Sequence, residues 1–247
     1  MKFITLSFNL KLFFYLAIAF ILCTAIGTVS HEAGHCAAAK YYGRNPELHY
    51  AYMYPGEPSW SITLREAYKK DKDKIKSDIA SPEKEAYFKL RENISKTYKQ
   101  QRKTEDFFIT FGGPLQTMLT GMLGFTILFL RRKKIFERSY LTLLEWFAVF
   151  LSYFWARQVF NFIFSIDQTF SGRKYFMADE PRLSQSLNLP PWAFGMVTCI
   201  LGGAVLSWVT FKAIPLNQRL SFILSGIIGC AIGYIGWLDW LGPKLLP

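Results

Sequence analysis

The sequence predicts an all-α polytopic membrane protein with about five transmembrane helices, a small β-hairpin and a charged helical insertion. Three observations support this fold class. Apolar and aromatic residues make up 51% of the 247 positions, and they form runs long enough to cross a bilayer. Charged residues are concentrated in one segment, residues 65–106. The length fits a single membrane domain over residues 1–247.

The net charge of +11 lies mainly in loops and forms no continuous stripe. We therefore expect no nucleic-acid-binding surface, and the positive charge indicates contact with the headgroups of a lipid bilayer. All four cysteines lie in apolar runs, where reduced packing residues are expected rather than disulfides.

The first apolar run opens near Leu12 and predicts a helix that continues to about Tyr42, where Gly43 can end it. A short positive start before an apolar core is also typical of a signal peptide. This run is too long for that, and a polar motif, residues 31–35, follows it without a break. We therefore expect the first run to remain in the protein as its first span.

The motif is His31-Glu32-Ala33-Gly34-His35. Two histidines four residues apart project from the same face of a helix, so both imidazoles can reach one metal ion. Glu32 can reach a water molecule on that metal and act as general base. A chance match is the alternative, but ionisable residues at membrane depth are costly. We therefore expect a hydrolytic Zn²⁺ site with His31 and His35 as ligands and Glu32 as catalytic base.

A metal motif in a helix that is apolar all round resembles the site-2 protease family of intramembrane zinc metallopeptidases. The stretch 111–115, Phe-Gly-Gly-Pro-Leu, is similar to the family's Gly-Gly-Pro element. Phe160-Asn161, followed by Asp179, is similar to the Phe-Asn stretch that precedes the family's aspartate ligand. The resemblance implies a catalytic core formed by residues 12–42, 107–130 and 140–189.

The second span is expected over residues 107–130. Gly112, Gly113 and Pro114 should break its helix locally, so that the freed backbone groups face the active-site cavity. The resemblance implies that these three residues support the substrate or an oxyanion. The family has an asparagine three positions after the proline, and this chain has Thr117 there.

The third span is expected over residues 140–166, with Arg157 and Asn161 on one face. An arginine at that depth should point into the bundle or a wet cavity. Arg157 is expected either to pair with a carboxylate or to help hold an oxyanion at the zinc. Asn161 is a second candidate for substrate or oxyanion support.

A carboxylate on the same side of the membrane as His35 would complete the zinc site. Each of the second and third spans crosses the membrane once, which leaves Asp167, Asp179 and Glu180 as the near candidates. We place the third ligand on Asp179, which can open a short helix after the third span, as the aspartate of the resembled family does. Asp167, at the end of that span, is the main alternative. Asp179 could instead be only a helix N-cap.

Residues 44–64 are aromatic and β-branched around a Pro/Gly turn and predict a β-hairpin. This hairpin either caps the bundle or holds an extended substrate by edge pairing. The mixed charges of residues 65–106 predict a solvated helical insertion, with a gating or docking role as the alternative. Two accessory helices are expected over residues 191–240.

We expect an intramembrane zinc metalloendopeptidase that cuts a transmembrane or membrane-proximal protein substrate. The alternative is a non-proteolytic membrane protein with a structural zinc site or a client-binding role. The expected location is a multi-pass arrangement in a bacterial cell membrane. The positive-inside rule, applied to the turn 131–134, places the site outside the cytoplasm. The resembled family usually keeps its site nearer the cytosol, so both orientations stay open.

Overall fold

The computed structural model describes residues 7–77, 79–170 and 178–247, without the side chains of residues 167–170. Within these residues the helices are α1 (Leu10–Tyr41), α2 (Ser59–Lys70), α3 (Lys72–Lys76), α4 (Pro82–Phe136), α5 (Leu143–Ser152), α6 (Trp155–Phe170), α7 (Asp179–Ser186), α8 (Ala193–Trp208), α9 (Arg219–Ile235) and α10 (Gly242–Leu245). Two π-helical segments, Val209–Ala213 and Gly236–Leu241, follow α8 and α9. The strands are β1 (Glu47–Leu48) and β2 (Met53–Tyr54).

Five helical segments of the described chain are long and apolar enough to cross a membrane. They are Leu10–Tyr41, Pro82–Phe136, Leu143–Ile166, Ala193–Ala213 and Arg219–Leu245. Large apolar side chains such as Phe14, Leu123 and Ile200 are exposed on their outer faces, which suits contact with lipid. The predicted fold class is confirmed.

The first helix, α1, packs against both α4 and α9. Glycines permit this close packing. A β-carbon on Gly34 would lie 2.5 Å from the carbonyl oxygen of Gly112, and one on Gly229 would lie 2.7 Å from the carbonyl oxygen of Ala17. A larger residue at these positions would force the helices apart, so the glycines set the distance between the backbones.

The second span belongs to one continuous helix, because α4 extends over 55 residues from the charged insertion through the membrane segment. The prediction that Gly112, Gly113 and Pro114 break the helix is wrong, since α4 passes through Pro114. Proline has no N–H donor, so one backbone carbonyl of the preceding helical turn lacks its usual partner. In a membrane helix, neighbouring helices and polar side chains can satisfy such a carbonyl. The two glycines instead allow α4 to approach α1 closely.

The predicted third span, residues 140–166, consists of two helices, α5 and α6, that meet at Tyr153 and Phe154. The Phe154 amide donates to a carbonyl three residues earlier over 3.1 Å, a spacing that tightens the backbone into a 3₁₀ turn. The sequence did not predict this break. As a result, α6, which carries Arg157 and Asn161, is a separate helix from α5.

The predicted β-hairpin over residues 44–64 is shorter in the structure. Strand β1 pairs antiparallel with β2, but the predicted second strand, residues 60–64, belongs to α2. Trp60 and Leu64 are four residues apart and line one groove against α4. Their spacing is therefore helical and not alternating. Pro58, in an extended conformation, directly precedes the helix.

The charged insertion is helical, as predicted, and consists of α2, α3 and the first half of α4. Exposed ion pairs one turn apart lie along α4, such as Lys89–Glu85 at 2.6 Å. A buried pair is more informative, because Arg44 Nη2 lies 2.6 Å from Glu105 Oε2. This contact ties the segment after α1 to α4, one turn before Ile109.

Candidate metal centre

The second half of α1 places His31 and His35 one turn apart on the side that meets α4 and α7. Both side chains are buried. Their Nε2 atoms lie 3.3 Å apart, although the ring planes are inclined by 82°. The spacing of four residues brings the two nitrogens to one point, as the sequence predicted.

Hydrogen bonds to the opposite nitrogens hold the rings in this orientation. His31 Nδ1 lies 2.8 Å from Thr117 Oγ1, and the Thr117 hydroxyl donates to the carbonyl of Gly113 over 3.1 Å. His35 Nδ1 lies 2.6 Å from the carbonyl oxygen of Ile109. The Thr117 hydroxyl and the Ile109 carbonyl accept, so each neutral imidazole is assigned its proton on Nδ1. The Gly113 amide lies 3.2 Å from the same His35 Nδ1, a longer contact than the one to Ile109. Both Nε2 atoms then present lone pairs.

Asp179, the first residue of α7, brings a third donor atom to the same point. Its Oδ2 lies 3.1 Å from His31 Nε2 and 3.2 Å from His35 Nε2. An aspartate side chain is ordinarily a carboxylate at neutral pH, and this ionised form is the one that can share a cation with two imidazole nitrogens.

These three atoms form a nearly equilateral triangle, which we call the donor triangle, with edges of 3.1, 3.2 and 3.3 Å. Zinc bonds of about 2.0–2.1 Å at tetrahedral angles place ligand atoms roughly 3.3 Å apart. Three lone-pair atoms at this separation repel one another unless a cation lies between them. Two neutral imidazoles and one carboxylate thus fit Zn²⁺, with one tetrahedral position left for water.

Glu32 lies beside the donor triangle. Its side chain is largely buried, and donor atoms of Glu32, His31 and His35 lie within 4.8 Å of one another. One water molecule can bridge such a distance. Glu32 Oε1 also lies 3.6 Å from Arg157 Nη2. Arg157 was predicted either to pair with a carboxylate or to hold an oxyanion. Its contact with Glu32 in the structure is an ion pair.

Asn161 contacts a different carboxylate from the one in the donor triangle. Its Nδ2 donates to Glu180 Oε1 over 3.0 Å. Glu180 is buried, which raises its pKa, and its Oε2 has no hydrogen-bond partner among the described residues. Because Glu180 follows Asp179 directly, this bond ties the start of α7 to α6 and helps to position Asp179.

Gly113 borders the donor triangle. A β-carbon there would lie 2.3 Å from His35 Nε2 and 2.6 Å from His31 Nε2. Gly112 lies against the backbone of Gly34, and Pro114 is fully buried in α4. The structure therefore places this element directly beside the imidazoles, although without the predicted break in the helix.

The other candidates for the third ligand differ from Asp179 in their surroundings. The side chain of Asp167 lies outside the described part of the structure. The carboxylate of Glu180 is bonded to Asn161. The N-cap of α7 is Ala178, with no side-chain cap, so Asp179 is not the N-cap. Among the described carboxylates that follow the third span, Asp179 is the one that contacts both imidazoles.

Sequence reasoning missed the contacts that hold the site in place. The sequence places Thr117 in a stripe of small residues with Gly113 and Gly121, at a position where the resembled family has an asparagine, but assigns it no contact with His31. Its position one turn after Gly113, on the helix that faces α1, is a signal that could have identified it as a partner of His31. The Ile109 carbonyl belongs to the main chain, so no side-chain pattern predicts its bond to His35. The pairing of Asn161 with Glu180 likewise has no local signal.

An apolar cavity lies next to the site, between α1, the α5–α6 junction and α9. Aromatic side chains form much of its wall, namely Phe20, Phe150, Tyr153, Phe154, Phe160 and Tyr234. Thr117 and Arg157 also belong to the wall. Since Thr117 contacts His31 and Arg157 contacts Glu32, these two side chains lie between the cavity and the donor triangle.

Comparison with models of known protein families, with curated proteins and with solved structures finds no match to this chain. We therefore base the function on the geometry of the site.

Proposed function

We propose that this protein is an intramembrane zinc metalloendopeptidase. The observation that carries the proposal is the donor triangle, in which two imidazole nitrogens and one carboxylate oxygen lie 3.1–3.3 Å apart, with Glu32 beside it. Structural zinc sites are usually closed by four protein ligands, whereas hydrolytic sites have three and leave one position for water. The adjacent glutamate adds the base that hydrolysis needs.

His31, His35 and Asp179 would hold the zinc ion. When bound, zinc lowers the pKa of a coordinated water and polarises the scissile carbonyl. Glu32 takes the proton from the attacking water and returns it to the leaving amine. Arg157, 3.6 Å from Glu32 Oε1, keeps that carboxylate in position beside the triangle. Thr117 and the Ile109 carbonyl fix both imidazole rings.

The substrate we infer is a protein segment that spans or adjoins the membrane. Support comes from the position of His31 and His35 within a helix long and apolar enough to cross a bilayer. The aromatic cavity next to the site suits apolar substrate side chains. The five candidate spans support a multi-pass arrangement, and we propose a bacterial cell membrane as its location.

Zinc content and peptide cleavage, measured side by side for wild type and Glu32→Gln, test the proposal. The chain is reconstituted in liposomes with a library of single-span peptides, and mass spectrometry detects the products. Glutamine is nearly isosteric but cannot take a proton. Glu32→Gln should therefore retain zinc and lose cleavage by a factor on the order of 10²–10⁴ or more. Glu137→Gln, at an exposed glutamate outside the site, is the matched control.

Two other results would contradict the assignment. His31→Ala and His35→Ala should each lose both zinc and cleavage, because two protein ligands hold the metal weakly. Stoichiometric zinc in either variant would rule out the donor triangle as the site. Zinc in the wild type without cleavage of any peptide would favour the non-proteolytic alternative, a structural zinc site or a client-binding protein.

A further inference from the structure

A pocket with basic walls lies at the end of the bundle where α1 begins, opposite the donor triangle. It is enclosed by the residues before α1, the turn between α4 and α5 and the turn between α8 and α9, and has a volume of about 580 Å³. Its polar lining consists of Ser7, Arg138, Ser139, Lys212, Asn217 and Arg219. None of the described residues that line it is acidic.

The chain segments around this pocket are strongly basic. Residues 7–11, 131–142 and 212–219 together contain eight lysines and arginines and one acidic residue, Glu137. The carboxylate of Glu145 also lies at this end, but it is fully buried and bonded to Arg131 and Arg138. The charge that faces the pocket is therefore positive.

Two of the pocket cations are held in place by the protein. Arg138 Nη2 donates to Glu145 Oε1 over 2.7 Å, and its Nε donates to the Lys134 carbonyl. Arg219 Nε donates to the Ile214 carbonyl over 2.8 Å. Fixed guanidinium groups lose less conformational entropy when they bind an anion, so they suit a binding site better than mobile surface chains.

The first turn of α9 adds a further positive contribution. This helix of 17 residues begins at Arg219, and no described side chain caps its N-terminal amides. Uncapped amides and the helix dipole at an N-terminus favour negatively charged groups. The pocket thus combines side-chain cations with the N-terminal end of a long helix.

The walls of the pocket are apolar next to its charges. Ile135 and Ile214 are buried beneath it, whereas Phe136, also in the lining, is 56% exposed. The pocket lies where the apolar spans begin, so a ligand with hydrocarbon chains could leave them along the outer faces of the helices. A soluble phosphate has no part that would contact Phe136.

We propose that this pocket binds the phosphate group of an anionic phospholipid. The cations Arg138, Lys212 and Arg219 contact the phosphate, and the acyl chains lie along the bundle. The site is independent of the zinc centre, because the two lie at opposite ends of α1.

Native mass spectrometry of the detergent-solubilised full chain, titrated with phosphatidylglycerol or phosphatidylcholine, tests this site. One phosphatidylglycerol should bind with higher affinity than further copies, and phosphatidylcholine should show no such step. Lys212→Gln removes an exposed cation and should weaken the first step about fivefold. Lys133→Gln is the matched control, because it removes an equal charge at the same end but outside the pocket lining. It should leave the first step within about twofold.

Each alternative gives a distinct result. Equal weakening in the two variants would show diffuse attraction to a basic surface and would overturn the site. Inorganic phosphate or glycerol phosphate at millimolar concentration is the second arm. If either binds as tightly as phosphatidylglycerol, so that the acyl chains add no affinity, the ligand is a soluble phosphate and the assignment to a lipid is wrong. Phosphatidylcholine binding with the same first step would also overturn the proposal.

Discussion

At the scale of single residues, the imidazoles of His31 and His35 are oriented by groups that do not belong to the donor triangle. Thr117 and the Ile109 carbonyl engage the two Nδ1 atoms at 2.8 and 2.6 Å. Without these hydrogen bonds each ring could rotate about its χ1 and χ2 torsions. The two Nε2 atoms would then no longer converge on one metal position. Metal affinity should therefore depend on Thr117 almost as on a ligand.

Thr117→Val tests this dependence, because valine matches the shape of threonine but cannot accept the hydrogen bond from His31. We expect zinc affinity to fall by about 10- to 100-fold, measured by competition with a chromophoric chelator. Thr120→Val is the control, since the Thr120 hydroxyl accepts from Gln116 over 3.0 Å and not from an imidazole. Unchanged zinc affinity in Thr117→Val would show that packing alone orients His31.

Asp179→Ala and Asp167→Ala separate the two candidate third ligands. Asp179 Oδ2 contacts both Nε2 atoms, so its loss should leave two protein ligands and abolish tight zinc binding. Asp167→Ala should retain one zinc per chain. Zinc content by elemental analysis of the purified variants gives the answer. Metal retained in Asp179→Ala and lost in Asp167→Ala would identify Asp167 as the ligand.

At the scale of helices, the site depends on how closely α1 and α4 approach each other. Gly34 and Gly112 meet backbone to backbone, and Gly113 lies against both imidazoles. The site is therefore formed by the contact between two helices and completed by the short helix α7. A change in the separation of α1 and α4 moves the histidines relative to Thr117 and Ile109.

Gly113→Ala should disrupt the donor triangle, because the added β-carbon would lie 2.3 Å from His35 Nε2. The rings must move, so we expect zinc binding to be lost while the helical circular dichroism signal is retained. Gly203→Ala in α8 is the control, since nothing lies within 4 Å of its added β-carbon. That change should leave zinc content unaltered and stabilise the helix by about 0.5–1 kcal/mol. Full zinc content in Gly113→Ala would refute the tight contact.

The sequence predicted most of this arrangement wherever a local pattern decides the structure. The apolar run predicted α1 to within two residues, because lipid-facing helices need continuous hydrophobicity and Gly43, with a φ of +71°, follows its end. The four-residue spacing predicted that His31 and His35 converge. Contacts between residues far apart in the sequence were not predicted. Pro114 lies buried within α4, and residues 60–64 belong to α2, whose Trp60 and Leu64 line a groove against α4.

At the scale of the whole molecule, charge is distributed unequally between the two ends. The end that carries the turns 131–142 and 212–219 is basic, with one acidic residue in those segments, Glu137. The other end carries the segment 44–106, in which 14 basic residues are mixed with 11 acidic ones. The positive-inside rule weighs short loops near the spans more than long segments. It therefore predicts that the basic end lies on the cytoplasmic side, where the leaflet is rich in anionic lipid.

Cysteine accessibility decides the orientation, because Ser77 precedes α4 and Ser139 follows it. Each serine is changed to cysteine in a background in which the four native cysteines are alanine. A membrane-impermeant maleimide is then added to intact cells. We expect Ser77→Cys to react in intact cells and Ser139→Cys only after permeabilisation, so that the donor triangle lies nearer the outer face. The opposite labelling would place it nearer the cytosol, as the family resemblance implies, and would show that the basic residues of 44–106 determine topology. Labelling of both positions from one side would mean that α4 does not cross the membrane.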